Sequence, residues 1–341
     1  MTSAALKAHA ASLGFDLCGV APATHVPELA FLDEWLARGY AGNMAWLART
    51  AEKRKNLQLV VPGARSVIVL GTVYNTDRPY STEVADPGAA VISRYAWGDD
   101  YHDVLPARME RLVGWMREQT ADPFEARWYA DTGPVQERVF AEYAGLGWIG
   151  KNACLINPRL GSWLFLSVIV TTLELDADER GFDQCGRCTL CIDACPTQAI
   201  VEPRVVDSTR CVSYLTIEER GDIPEPLRAG LGNRVYGCDV CQDVCPFNQH
   251  PAVSEDPAWQ PRPGLDGVTA RQLWETPDAG LRRLTKGSAM TRAKLPMLRR
   301  NLALALQASG DPADRAALDA PAPERPSAAD ALVRRHIRIR A

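Results

Sequence analysis

No stretch of this chain is apolar for long enough to cross a bilayer. The longest strongly apolar run, Trp163 to Val170, contains Ser167 and falls far short of the roughly 18 residues a span needs. Met1 to Phe15 has no basic start, no continuous apolar core and no twin-arginine pair, so no export signal is legible and a cytoplasmic location with no membrane attachment is the expectation. An excess of one charge is also missing. Lys and Arg number 38 against 42 Asp and Glu, a formal −4, so any nucleic-acid contact has to be a local patch. With 46% hydrophobic and 23% charged residues, disorder, collagen and coiled coil are excluded. The 341 residues are enough for two domains, or for one large domain with a smaller insert.

Cysteine is the residue type that stands out. Of ten, Cys18 and Cys154 stand alone in apolar surroundings and read as inert core thiols, while eight fall between 185 and 245. Cys185-Gly-Arg-Cys188-Thr-Leu-Cys191-Ile-Asp-Ala-Cys195-Pro196 fits the bacterial ferredoxin run C-x2-C-x2-C-x3-C-P, whose fourth cysteine serves a second cluster. Cys238-Asp-Val-Cys241-Gln-Asp-Val-Cys245-Pro246 repeats its tail, but Val235 stands where another cysteine should begin it. Cys211 is the replacement. Crossing the ligands as in two-cluster ferredoxins gives Cys185, Cys188, Cys191 and Cys245 on one [4Fe-4S] cluster and Cys195, Cys211, Cys238 and Cys241 on the other. Two structural zinc sites are the alternative, yet zinc requires neither the third cysteine at x2 nor a repeated Cys-Pro ending.

Before the cysteines, helical and strand patterns alternate. Helices are expected at 2–13, capped near Thr2 or Ser3 and stopped at Gly14, at 100–119 from the spacing of Leu105, Met109, Leu112, Val113 and Met116, and at 134–143 from Pro134. Strands are expected at 66–74, 124–130, 153–157 and 162–173. An α/β or mixed layer domain (α+β) over 1–178 follows, then a ferredoxin-like module over 179–250. Pro251, Pro257, Pro261 and Pro263 mark a linker into a helical region over 251–341. Gly145-Leu-Gly-Trp-Ile-Gly150 spells a dinucleotide fingerprint, but it follows a helix and leads into a strand, the reverse of the required context. Asp100-Tyr-His102 begins like the Asp-x-His of proteins that ligate cobalt through histidine, but Leu105 stands where that motif has glycine. His102 therefore reads as a surface or core histidine of the helix. Asp131-Thr-Gly-Pro134 ahead of a helix is what a capping aspartate predicts.

Taken together, Arg94-Tyr-Ala-Trp-Gly-Asp-Asp-Tyr-His102, Asp131-Thr-Gly-Pro134, Gly145 to Asn152, Gly161-Ser-Trp163 and the cysteine runs resemble the epoxyqueuosine reductase family from about residue 5 to 250. Beyond 255 the resemblance weakens. It implies a first domain similar to nitroreductase-like and cobalamin-processing folds, with cobalamin bound base-off and no histidine on cobalt. It also implies a short HEAT-like C-terminal region, a monomer, tRNA carrying epoxyqueuosine at the wobble position as substrate, and an external low-potential electron donor. Asp131 matches the family's proton donor, while Arg54, Tyr95, Asn152, Ser162 and Ser213 are the implied cobalamin contacts. Lys151 is either a phosphate or corrin contact or a solvated lysine.

The implied chemistry is consistent with the residues. Turning an epoxide into an alkene consumes two electrons and two protons and releases water. Clusters pass electrons singly at low potential, cob(I)alamin is a plausible nucleophile toward the epoxide carbon, and a carboxylic acid raised by burial would protonate the opened oxygen. A corrinoid iron-sulfur reductive dehalogenase and a non-catalytic ferredoxin-type carrier are the competing readings. For tRNA, Arg282, Arg283, Lys286, Arg292, Lys294, Arg299 and Arg300 form a stretch with no acidic residue, and Arg334, Arg335, Arg338 and Arg340 crowd the terminus. Both read as phosphate contacts.

Overall fold

A computed structural model describes residues 1–320 and 324–337. Thr2 caps helix α1 (Ser3–Ser12) by accepting the Ala5 N–H, and strand β1 (Leu17–Pro22) follows. The β-branched run at 66–74 forms β2 (Ser66–Val73). Asp100 caps α2 (Tyr101–Glu118), β3 is Ala126–Tyr129, α3 is Glu137–Tyr143 and β4 is Leu164–Thr171. One sheet of order β1-β2-β4-β3 results, antiparallel at every step. The expected strand at 153–157 shrinks to Leu155–Ile156, paired with Trp148–Ile149.

Strand periodicity puts alternate residues of β2 on opposite faces. Val67 and Val69 pack with Phe140, Ala141, Val168 and Val170 under α3. Ile68 and Leu70 pack with Leu6, Met109, Leu112, Met116 and Ile169 under α1 and α2. The sheet is therefore buried on both sides, which is why β2 reads as a continuous apolar run. Helix α3 begins three residues after Pro134, because 131–136 form a turn capped at Gln136. Asp131 does not cap it.

A third core crosses the expected boundary near 250. Val91–Ile92 pairs parallel with Arg234–Tyr236, and Ile92, Ala96, Val235 and Tyr236 pack with Trp274, Leu281, Met290, Leu298 and Leu302. The proline segment is pinned rather than free. Trp259, 2% exposed, packs on Phe165 at 4.9 Å between ring centres, and Ser254 N–H donates to the Asn75 carbonyl at 2.8 Å. Among the described residues, no helix is long and apolar enough to cross a membrane.

Candidate functional site

Strand β3 delivers Asp131 into a turn that few residues could make. Asp131 itself lies at φ +60°, a left-handed conformation that costs a non-glycine residue. Gly133 passes so close to Tyr129 that a Cβ would sit 2.2 Å from its Cγ. The Asp131 side chain is 67% accessible, so the turn presents its carboxylate at the surface while the protein packed behind it still partly desolvates it. The Tyr101 hydroxyl donates to Oδ2 at 3.1 Å and His102 Nε2 lies 3.4 Å from the same oxygen. On the far side of the ring, Nδ1 is 2.7 Å from Asp100 Oδ1. The residue that caps α2 thus also orients the histidine.

These contacts fix where protons rest. Burial works against a charged His102 ring, but its hydrogen bonds to Asp100 and Asp131 prevail and push it up to about 9. Burial raises the Asp131 carboxyl, yet the His102 hydrogen bond and charge and the Tyr101 hydroxyl leave it below the ordinary carboxyl range. The expectation that Asp131 itself is raised is therefore overturned. The raised carboxyl is Glu137, held at about 8 by burial and then by the Asp131 charge. Its Oε1 accepts the Asp131 N–H at 2.8 Å.

Positive groups from separate elements lie within electrostatic reach of Asp131: Arg54, Arg138 and Arg292. Tyr95 does too. The structure thus gathers Arg54, Tyr95 and Asp131 from the residues singled out in the sequence. Asn152 and Ser162 lie instead in a buried seam with the cysteine module, where Asn152 Nδ2 donates to the Cys241 carbonyl at 3.1 Å and Ser162 Oγ accepts from Gln242 and Asn248 at 3.0 and 2.9 Å. The Ser213 N–H points to the Cys211 thiol. Lys151 Nζ donates to the Gly186 and Cys188 carbonyls at 2.8 Å each, which ties it to the first cysteine loop. Sequence reasoning missed Tyr101 and Glu137, assigned Arg292 to phosphate, and placed His102 on the helix without its contact to Asp131. The one usable signal was Asp100-Tyr-His102, dismissed because it failed as a cobalt motif.

None of the ten cysteines is in a disulfide. Cys191 feels Cys245, Cys185 and Cys188. Cys211 feels Cys195, and Cys241 feels Cys238 and Cys211. Burial pushes the Cys238 thiol up to about 12 and Cys191 and Cys245 up to about 11, so these sulfurs stay protonated unless a cation takes them. Among the described residues, no three His, Cys, Asp or Glu side chains converge tightly enough for a single metal ion. Each thiolate of a cubane holds its own iron, so four such sulfurs stand apart. Cys154 stands apart in the sequence but lies within electrostatic reach of Cys241 and Cys211. A loop with Ala153 at φ +61° brings it there.

The basic tail divides. Arg299 and Arg300 are 0% exposed and cannot reach phosphate. Arg299 pairs with Asp278 at 2.9 Å and donates to the Thr276 carbonyl at 2.6 Å, while Arg300 serves the Leu215, Glu219 and Gly221 carbonyls at 2.6–2.9 Å. Arg292 pairs with Glu218 at 2.7 Å and Arg335 with Asp222 at 3.0 Å. Arg282, Arg283, Lys286, Lys294 and Arg334 are exposed, and Arg338 and Arg340 lie outside the described residues. Two clefts of about 700 and 970 Å³ lie elsewhere on the surface and share no residue with the Asp131 site.

Fold and site define a mixed α/β protein with a two-cluster iron-sulfur module and an acid presented beside it. Residues 184–248 match a 4Fe-4S double cluster binding domain, and residues 54–132 match the family described as Epoxyqueuosine reductase QueG, DUF1730. The chain is 46% identical to the epoxyqueuosine reductase of Gloeobacter violaceus over 91% of its own length and 97% of the relative's. It is 39% identical to that of Xanthomonas campestris over 98% and 94%. Among solved structures, an epoxyqueuosine reductase with an epoxyqueuosine-modified tRNA-Tyr stem loop superposes with a TM-score of 0.82 at 29% identity, covering 96% of this chain and 87% of that one. A Bacillus subtilis epoxyqueuosine reductase with its catalytic aspartate loop swung out of the active site gives the same score and identity, with 96% and 88% covered. The chain belongs to the epoxyqueuosine reductase family, which sets aside the dehalogenase and carrier readings.

Proposed function

We propose that this enzyme reduces epoxyqueuosine in tRNA to queuosine, with Asp131 meeting the epoxide oxygen. The observation that carries the site assignment is the accessible Asp131 carboxylate, held from one side by Tyr101 and His102. Opening and deoxygenating the epoxide takes two electrons and two protons and releases water. The oxygen freed from carbon is far more basic than a carboxylate, so a proton held on the imidazolium of His102 reaches it through Asp131 in one concerted transfer, Asp131 releasing a proton to the oxygen as it takes one from the ring. Tyr101 keeps Oδ2 aimed during the transfer.

Cys185, Cys188, Cys191 and Cys245 would ligate one [4Fe-4S] cluster and Cys195, Cys211, Cys238 and Cys241 the other. The second set stands on the Tyr95 side, because Asp239 between Cys238 and Cys241 accepts the Arg94 N–H at 2.7 Å. Electrons from an external low-potential donor would enter at the first set. The residues also suit cobalamin. Arg54 and Tyr95 lie within electrostatic reach of Asp131, and the histidine beside it is engaged by Asp100 and Asp131, so it would not be free to serve the cofactor, in keeping with the expected base-off corrinoid without a histidine ligand. Arg54, Tyr95 and Ser213 would hold the cofactor, with Asn152 and Ser162 behind them. When bound, cobalamin would supply low-potential nucleophilic chemistry toward the epoxide carbon.

The three-part division at about 178 and 250, the nitroreductase-like first domain, the HEAT-like helical tail, a monomer and a cytoplasmic setting complete this reading. Exposed Arg282, Arg283, Lys286 and Lys294 would carry the tRNA backbone. Anaerobically reconstituted protein given an epoxyqueuosine stem loop should make queuosine. Asp131→Asn should keep iron and cobalamin while losing most product, and near wild-type turnover in that variant would remove Asp131 from the mechanism.

A further inference from the structure

The turn that carries Asp131 is a short strap between anchored ends. Ala130 is buried, as are Val135 and Val139 in the core beneath α3. Beyond the strap, Arg54 Nη1 donates to the Val135 carbonyl at 3.2 Å and Gln136 Nε2 donates to the Leu29 carbonyl at 3.0 Å. Asp131 and Thr132 between the anchors are exposed, and Asp131 holds its left-handed backbone angle without the freedom of glycine. That conformation persists only where the surroundings over-determine it. The side-chain contacts of Asp131 run to Tyr101 and His102 and do not restrain its backbone N–H, which is held by Glu137 Oε1 alone among the hydrogen bonds of the described residues.

We propose that Glu137 is the positioning residue of the reaction: its side-chain oxygen latches the Asp131 N–H and keeps the strap closed on the site. The proposal rests on the reading of Asp131 as the acid. It assigns Glu137 no contact with substrate and no proton to donate. Glu137 is the first residue of α3, whose Phe140 and Ala141 are locked in the core, so the latch is mounted on a rigid element. A Bacillus subtilis relative described above has its catalytic aspartate loop swung out of the active site. The acceptor requirement is simple. A carboxylate, a carboxylic acid or a primary amide each presents an oxygen at this reach.

The test compares Glu137→Gln with Glu137→Ala in the reconstituted enzyme. Hydrogen exchange of the peptide covering 130–135 should be several-fold faster in Glu137→Ala and close to wild type in Glu137→Gln. Turnover of the stem loop should fall about ten- to a hundredfold in the alanine variant, as expected for a misplaced catalytic group, with KM for the stem loop unchanged and the amide variant restoring most of kcat. Wild-type exchange in the alanine variant overturns the latch, and so does an equal loss of turnover in both variants, since the charge would then matter rather than the acceptor. Neither result bears on Asp131 as the acid, which stands or falls on Asp131→Asn.

Discussion

His102→Gln tests the proton relay proposed behind Asp131. In the wild type the ring titrates at about 9, so about 99% of it is charged at pH 7. Without it, Asp131 has to hold the proton itself. With the ring's charge gone, burial and the Tyr101 hydroxyl are left opposing each other on that carboxyl, and the proton is no longer held in reserve at pH 7. Where proton delivery limits the rate, turnover at pH 7 should fall by at least about tenfold. The profile should also change form: the wild type keeps its rate below 9 and loses it above, whereas the variant gains about tenfold for each unit of acidification through the neutral range. The same pairing stabilises the fold. Because the folded value lies above the ordinary 6.5, the contribution is complete below 6.5 and is lost as pH rises through about 9. That difference corresponds to about 3 kcal/mol, reduced to about 2 because the ring is 31% exposed and its Asp131 arm is 3.4 Å long. The assay is single-turnover conversion of an epoxyqueuosine stem loop by prereduced enzyme from pH 5 to 10. A variant within threefold of wild type at pH 7, with its alkaline limb still near 9, would refute the proton path.

Cys211→Ala should leave about four of eight irons per chain after anaerobic reconstitution, with the cluster on Cys185, Cys188, Cys191 and Cys245 intact by electron paramagnetic resonance; loss of both clusters would break the assigned ligand sets. Arg282→Gln with Arg283→Gln should weaken stem-loop binding and flatten its salt dependence without changing stability, and an unchanged salt slope would place the tRNA elsewhere. Arg299→Ala should instead cost about 3–5 kcal/mol by leaving buried Asp278 unpaired, measured as loss of soluble fold, and a variant of wild-type stability would contradict its buried pairing.

The sequence made legible whatever depends on periodicity and spacing. Val67 to Leu70 could be read as part of a strand, and the Cys-x2-Cys runs announced two clusters, because in each case the pattern is set by neighbours in the chain. What stayed hidden depends on neighbours in space. Nothing local distinguishes Arg299 and Arg300 from Arg282 and Arg283. They differ because Leu295–Ala308 is a central helix, with Leu298 and Leu302 in the core it shares with Trp274 and Tyr236, and two guanidiniums on such a helix have to satisfy carbonyls rather than phosphates. A run of cations without acids signals an anion surface only on an element that keeps one face in water.

The same limit explains the acid. Read alone, Asp131-Thr-Gly-Pro134 offered a choice between a helix cap and a buried, raised carboxylic acid, and the structure takes neither. The cap is excluded because the chain needs five more residues to start α3. The raised carboxyl is excluded because Tyr101 and His102, thirty residues earlier, bring a hydroxyl and a cation to Oδ2. Separating the duties solves a chemical conflict. A carboxylic acid shielded enough to stay protonated at neutral pH would be poorly accessible to a tRNA base, whereas an accessible carboxylate backed by a buffered imidazolium can face the substrate and still be supplied with a proton. On the proposed mechanism the site therefore exposes the group that would meet the epoxide and keeps the proton one residue deeper, on the ring that Asp100 orients.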